Sequence, residues 1–558
     1  MRIRHSAVAF AGLLVLAAGL AATPSPAPSS ESASPFGEEI DVRVVNVEVV
    51  VTDRHGERVT GLTPADFTLT VDGTPVGVEY FSEVRDGRSQ APAETTVPAA
   101  ATVAGGAGIR PMSAAGGGTH YLVFVDDYFA IGAQRDVVLA ALQRDLARLG
   151  PDDRMAIVAF DGGRLTALSG WTGSFADLSQ ALARAEARES HGVERLTENR
   201  SFRSEESLRG EVVGESTPLD LNARGGDLSL AQSAYGGTLF RQLQASVGAA
   251  AGAMRAFADP PGRKVLLLLA GGWPYSVRNY VTGGNGLPRA ELPEGDYLLR
   301  PLTDTANLLG YTIYPVDVPG PQGNSGADVE ATAPSLVGSG LSTEIETESS
   351  LVYLARETGG RALLDGKRAT ALASVSDDTR SFYWLGFVPT WRGDDRAHKL
   401  GVEVRRPGLK VRSRTGFLDL SRQAETSMRL ESALLLGSFA GALPMPVRIG
   451  EPKRLRRGEL ELPLTLQLPV ELLTMVPVDG KYAAKLELRF AASDEHGAAS
   501  EIPVIPITLS TDEPPRPGKF VRHDVTIKLH GRADHLVVAA YDPLTDRMAT
   551  AEADISTH

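Results

Sequence analysis

Cysteine is absent from all 558 residues. That absence excludes disulfide staples, cysteine–zinc sites, iron–sulfur clusters, thiol nucleophiles and a lipid-anchoring cysteine in one step. A basic excess is missing as well, since 56 Lys and Arg stand against 69 Asp and Glu for a net charge of −13. A chain of that sign lacks the positive field of a general nucleic-acid binder. Beyond the N-terminal segment no run is apolar for the roughly 20 residues that a membrane span needs. Even Val265–Leu269 is bounded by Lys264 and Gly271. Enzyme signatures are missing too: there is no G-x-S-x-G elbow, H-E-x-x-H helix, Walker A loop or G-x-G-x-x-G opening a helix after a strand.

What is present is ordinary globular composition, 42% hydrophobic and 22% charged, which excludes disorder of the whole chain. The length allows roughly three or four domains. Met1–His5 is a short basic start, Ala7–Leu20 an apolar run, and Ala21 and Ala22 are small. This is the pattern of a secretory signal peptide over residues 1–22, so a secreted or periplasmic protein is expected, without a lipobox cysteine. Residues 23–39, rich in Pro, Ser and Ala, read as a flexible leader.

Residues 40–85 carry β-branched alternation (Val45, Val47, Val49, Val51) cut by turns at Asp53–Gly56 and Asp72-Gly73, which predicts β-sandwich strands. The Ala/Gly/Pro stretch 86–118 reads as a linker. From 119 to 380 strands alternate with helices: Tyr121–Val125, Gln134–Leu149, Met155–Phe160, Phe175–Ala187, Leu239–Phe257, Lys264–Leu269 and Tyr311–Val316. That order predicts right-handed βαβ units and a doubly wound parallel sheet of Rossmann type. Charged, Gly/Ser-rich residues 188–235 read as an insertion loop within it. Strands over 381–418 are expected to complete the N-terminal sandwich, which contacts between 44–51 and 402–411 would support. A helical connector over 419–440 and a C-terminal Ig-like β-sandwich over 441–558 follow. The fold class is thus multidomain, α/β with all-β elements flanking it.

Tyr121–Tyr128, Gly236-Gly237-Thr238 and Leu269–Gly272 resemble a von Willebrand factor type A (VWA) domain. With Leu62–Phe67, Tyr311–Asp317, Glu357–Ala362, Phe382–Phe387 and Arg406–Arg412, the chain resembles the exported acidobacterial VWA-related family over most of residues 40–418. The resemblance implies protein binding at the carboxyl ends of the parallel strands, often through Mg²⁺ or another divalent cation held by oxygen ligands. Asp126 fits the first aspartate of that adhesion site and Thr238 its threonine. Tyr128 and Ala130 replace the two serines, and Ala270 the later aspartate, so the site is degenerate.

Beside the metal-ligand candidates Asp126 and Thr238, residues Asp127, Tyr128, Trp273 and Tyr275 are the candidate partner-binding residues at these strand ends. The bland alternatives are that Asp126-Asp127 caps the next helix or meets Arg135, and that the aromatics pack beneath their loop. The expected function is that of a non-enzymatic interaction or adhesion protein with an unidentified protein partner, no nucleic acid and no membrane span. The alternatives are a structural envelope scaffold and a hydrolase using strand-end carboxylates.

Overall fold

The computed structural model describes residues 44–90, 118–211, 218–258, 262–282, 295–319, 336–421, 424, 427, 428 and 443–555, the last without 456–458, 479, 494–503, 514–515, 531–534 and 546. The signal-peptide and leader readings, residues 91–117 of the expected linker and most of the helical connector lie outside them. The architecture is mixed α/β with β-rich parts before and after it in the sequence.

The first strands are β1 (Val45–Thr52), β2 (Phe67–Val71), β3 (Thr74–Val76), β4 (Tyr80–Arg85) and β5 (Arg88–Gln90). Arg88–Gln90 falls within the expected linker 86–118. Asp86 and Gly87, both at positive φ, instead turn the chain so that β5 pairs with β4.

The α/β part follows. Its strands are β6 (Thr119–Asp126), β7 (Arg154–Phe160), β8 (Leu165–Thr172), β9 (Arg263–Ala270) and β10 (Tyr311–Asp317). Its helices are α1 (Gly132–Asp145), α2 (Phe175–Glu186), α3 (Gly192–Glu211), α4 (Pro218–Ala256), α5 (Val277–Thr282), α6 (Gly295–Leu309), α7 (Leu336–Glu357) and α8 (Ala371–Thr379). The sheet order is β10-β9-β6-β7-β8, parallel except for β8, which runs antiparallel to β7. Leu122, Phe124, Leu266 and Leu268 face a core closed by α4, α6 and α7. Tyr121, Val123, Val125, Val265 and Leu267 face a second core under α1, α2 and α8. Burial on both faces is why β6 and β9 read as unbroken apolar runs.

Residues 188–235 are not simply a loop. Gly192–Glu211 and Pro218–Ala256 are helices, so Gly236-Gly237-Thr238 lies inside α4 instead of opening a helix. Charge and glycine hide the apolar period of α3, and its docking is local: His191 N–H donates to the Asp127 carbonyl at 2.8 Å and Gly192 N–H to that of Ala130 at 3.1 Å. Leu363 makes a single parallel bridge to Val316 at the edge of the sheet.

The chain then returns to the first strands with β11 (Phe382–Phe387), β12 (Arg396–Val404), β13 (Lys410–Ser413) and β14 (Gly416–Asp419). A five-stranded sheet runs β13-β1-β11-β4-β5 and a four-stranded one β14-β12-β2-β3, so each draws strands from both sides of the α/β insertion. Val51 stands opposite Val411, and Val402 opposite Leu69. Val45, Val47, Val49 and Val51 point between the two sheets onto Phe67, Leu69, Tyr383 and Phe387. The opposite face of β1 carries Glu48, whose carboxylate pairs with Arg263 of β9. Nearby, Asp378 accepts from Arg58 and Arg412, each at 2.5 Å, and from the Tyr314 hydroxyl at 2.7 Å. Burial alone would raise the Asp378 carboxyl; Arg412, the Tyr314 hydroxyl and Arg58 outweigh it and hold the group below the usual carboxylate range.

The last strands form a second pair of sheets. One holds β15 (Leu443–Pro444), β19 (Val476–Val478), β20 (Lys481–Ser493), β21 (Val504–Thr511), β23 (His535–Asp542) and β24 (Arg547–Asp554). The other holds β16 (Val447–Ile449), β17 (Lys453–Arg454), β18 (Glu459–Pro469) and β22 (Phe520–His530). Strict alternation in β18 sends Leu460, Leu462, Leu464, Leu466 and Leu468 inward against Leu486, Leu488 and Val538. Among the described residues, no helix is long and apolar enough to cross a membrane.

Candidate functional site

Strand β6 leads to β7 on one side and the later β9 lies on its other side, so the direction of crossover reverses beside β6. Open α/β sheets bind ligands outside the carboxyl ends of the strands at such a switch point. Asp126 closes β6 there, and Ala270 closes β9.

Asp126 is fully buried. Its Oδ1 accepts from the backbone N–H groups of Tyr128 at 3.2 Å and Phe129 at 3.3 Å. Its Oδ2 accepts the indole N–H of Trp273 at 2.6 Å, and the Gly271 N–H adds a further bond. Burial pushes this carboxyl up to about 7, against the opposing pull of the Trp273, Phe129 and Gly271 donors, while the neighbouring Asp127 charge adds to the rise.

Trp273 is fully buried too, so the indole expected to meet a partner packs beneath its own loop. The loop is pinned from behind by α7. Ser350 Oγ donates to the Trp273 carbonyl at 2.6 Å, Tyr275 N–H to the Glu346 carbonyl at 2.9 Å, and Ser276 N–H to the Glu346 carboxylate at 2.8 Å. Tyr275 is half-buried against Tyr353, with ring centroids 5.5 Å apart.

Asp127 is likewise fully buried, and it is spent inside the protein. Arg135 Nη1 reaches its Oδ1 at 2.7 Å and Arg188 Nε its Oδ2 at 2.6 Å. The meeting with Arg135 is the bland alternative named for this residue. It removes Asp127 from the partner-facing set, because a buried carboxylate between two guanidinium groups has no exposed oxygen to offer. Asp161, just past the end of β7, faces Arg188 Nη2 at 3.3 Å.

Tyr128 is half-buried and reachable. Its hydroxyl accepts from Arg195 Nη1 at 2.9 Å, and the Arg195 guanidinium carbon lies 4.9 Å from its ring centroid. Gly162, at φ +103°, makes room for the ring: a Cβ there would stand 2.4 Å from Tyr128 Cδ2. Thr238 projects from α4, where its hydroxyl accepts from Arg241 at 3.2 Å. Among the described residues, no hydrogen bond joins it to Asp126. Thr238 instead lines an open groove of about 770 Å³ with Tyr235, Val193, Arg195, Thr197 and Glu198. The sequence pattern does not pick out Arg195 or this groove, since both depend on α3 being a helix, nor Arg188, which meets Asp127 from the turn between α2 and α3.

A second cluster lies in the N-terminal sandwich. Ligand atoms of Asp394, His398 and Asp419 sit within 4.8 Å of one another. They already serve the local turn: Asp419 accepts from Arg392 N–H at 2.7 Å and Gly393 N–H at 3.0 Å, and His398 Nδ1 pairs with Asp72 at 2.8 Å.

No family model and no curated protein matches the chain. Among solved structures it is similar to the N-terminal domain of TFIIH p34, at 14% identity and a TM-score of 0.19, covering 47% of this chain and 97% of that one. It is also similar to the pilus adhesin SpaC from Lactobacillus rhamnosus GG, at 11% identity and a TM-score of 0.22, covering 78% and 56% respectively. At these scores neither likeness carries an argument about function.

Proposed function

We propose that the chain is an exported, non-enzymatic VWA-like protein that captures a protein partner at the carboxyl-end face of its parallel sheet. The observation that carries this reading is the groove between α3 and α4, anchored directly on the loop that follows β6 at the switch point. It presents an apolar lip at Val193, 57% exposed, beside Tyr235, Thr197 and Glu198. Such a mixture of apolar and polar contacts suits a protein surface. Asp126 and Asp127 have their oxygens occupied by internal donors, which lends nothing to the hydrolase alternative. The buried Glu48–Arg263 pair, which ties the α/β sheet to the sandwich, favours the second reading of a rigid envelope scaffold.

The two readings separate by site-specific photocrosslinking in native envelope material. A crosslinker at position 193 or 198 is expected to trap one discrete partner, while one at Leu544, 62% exposed on the C-terminal sandwich, does not. Equal capture at both places, or none at the groove, would leave the scaffold.

A further inference from the structure

The VWA resemblance implies a divalent cation between the strand-end loops, and the residues present can be tested against it atom by atom. A carboxylate offers about four lone-pair directions. Those of Asp126 meet the N–H groups of Tyr128, Phe129, Gly271 and Trp273. Asp127 is divided between Arg135 and Arg188. Ala130 and Ala270 have no side-chain oxygen, and the Tyr128 hydroxyl accepts from Arg195. The loops leave no gap either, since a Cβ on Gly271 would stand 2.2 Å from the Ala130 nitrogen and 2.3 Å from the Phe129 carbonyl carbon. Mg²⁺ wants near-octahedral oxygen at about 2.0–2.1 Å. The residues do not fit it.

We infer that the Trp273 indole N–H holds the place of the cation and makes this strand end a closed, cation-independent hydrogen-bond hub. The physical exchange is direct. A buried carboxyl group is paired with a counter-ion, given hydrogen-bond donors or neutralised, and here three backbone N–H groups and one indole supply donors in place of a counter-ion. The indole also does structurally what a bridging ion would do, because it ties the loop after β9 to the end of β6. Ser350 and Glu346 hold that loop in place from the α7 side. The inference concerns this hub alone and holds whichever partner binds, or none, so it fails or survives separately from the proposed function.

The test uses the full chain carrying ¹⁵N-labelled tryptophan, whose four indole signals arise from Trp171, Trp273, Trp384 and Trp391. Mn²⁺ is the probe, since it occupies Mg²⁺ sites and broadens nearby resonances beyond detection. The Trp273 signal is assigned by W273F or, should that variant not fold, by elimination with W171F, W384F and W391F. The expected result is that the Trp273 signal keeps its intensity through several-fold excess Mn²⁺. Loss of the Trp391 signal alone would place any bound ion near the Asp394–His398–Asp419 cluster and leave the inference standing. Selective loss of the Trp273 signal, reversed by EDTA and absent in D126N, would overturn it.

Discussion

The indole N–H of Trp273 reaches Oδ2 of Asp126 at 2.6 Å, although 147 residues separate the two and neither is exposed. Two loops of the α/β sheet are thereby fastened by a neutral donor on a carboxylate. The bond is short for N–H···O and lies where water is excluded.

Replacing Trp273 by Phe keeps an aromatic ring and removes the donor. The buried acceptor is then left one bond short, at a cost of about 1–3 kcal/mol. The urea midpoint should fall with little change in slope, and amide exchange at Tyr128 and Phe129 should accelerate. An unchanged midpoint would mean that the indole bond contributes nothing to stability.

The Glu48–Arg263 pair joins the sandwich to the α/β sheet with Arg263 only 3% exposed. Glu48→Ala strands that guanidinium in an apolar setting, where breaking a buried pair costs about 3–5 kcal/mol. Glu48→Met with Arg263→Met removes both charges and should recover most of the loss. Chemical denaturation of the two variants checks this; a double variant as weak as the single one would show that shape, and not charge, holds the junction.

Asp378 gives the fold an acid-sensitive joint. Its folded carboxyl sits below the value near 3.9 expected of an unfolded Asp. The stabilisation is therefore complete above about pH 4 and is lost as pH falls below it towards the folded value. Asp378→Asn should lower stability at pH 7 and flatten the decline as pH falls below about 4. Parallel pH curves for parent and variant would contradict the assignment.

Asp304 behaves in the opposite sense. Burial pushes its carboxyl up to about 6, with Arg300 opposing and Glu357 reinforcing the rise. The folded state then holds a proton that the unfolded chain releases near pH 4, so stability is lost as pH rises through that window to about 6. Asp304→Asn should stabilise by about 1 kcal/mol above pH 6, after discounting for solvent screening, and hardly at all at pH 4. Melting temperatures at the two pH values decide it, and a gain of equal size at both would have another origin.

Much of the sheet is legible along the chain because burial on both faces leaves a mark that needs no tertiary knowledge. Tyr121–Val125 and Val265–Leu269 are strands for that reason, and Asp126 marks where one of them ends. Helix α3 and the first half of α4 are not legible in the same way, whereas the second half of α4 is read as the helix over Leu239–Phe257. Glycines at 225, 226, 236 and 237 and the charges of 194–211 mask the period, and a helix polar over most of its surface carries little periodic signal. Trp273 left one clue: the position of the later aspartate is Ala270, and a donor follows three residues on.

The sequence by itself determined the strand ends, the alternation of β18 and β1, and the depletion of the oxygen set at Tyr128, Ala130 and Ala270. Those are local properties, set by period and residue type within a few positions. Only the tertiary structure decided that Val51 meets Val411, that Arg135 and Arg188 converge on Asp127, and that an indole closes on Asp126. Which buried donor satisfies which buried acceptor depends on chain segments far apart in sequence. That choice is made by packing, where every buried polar group must find a partner.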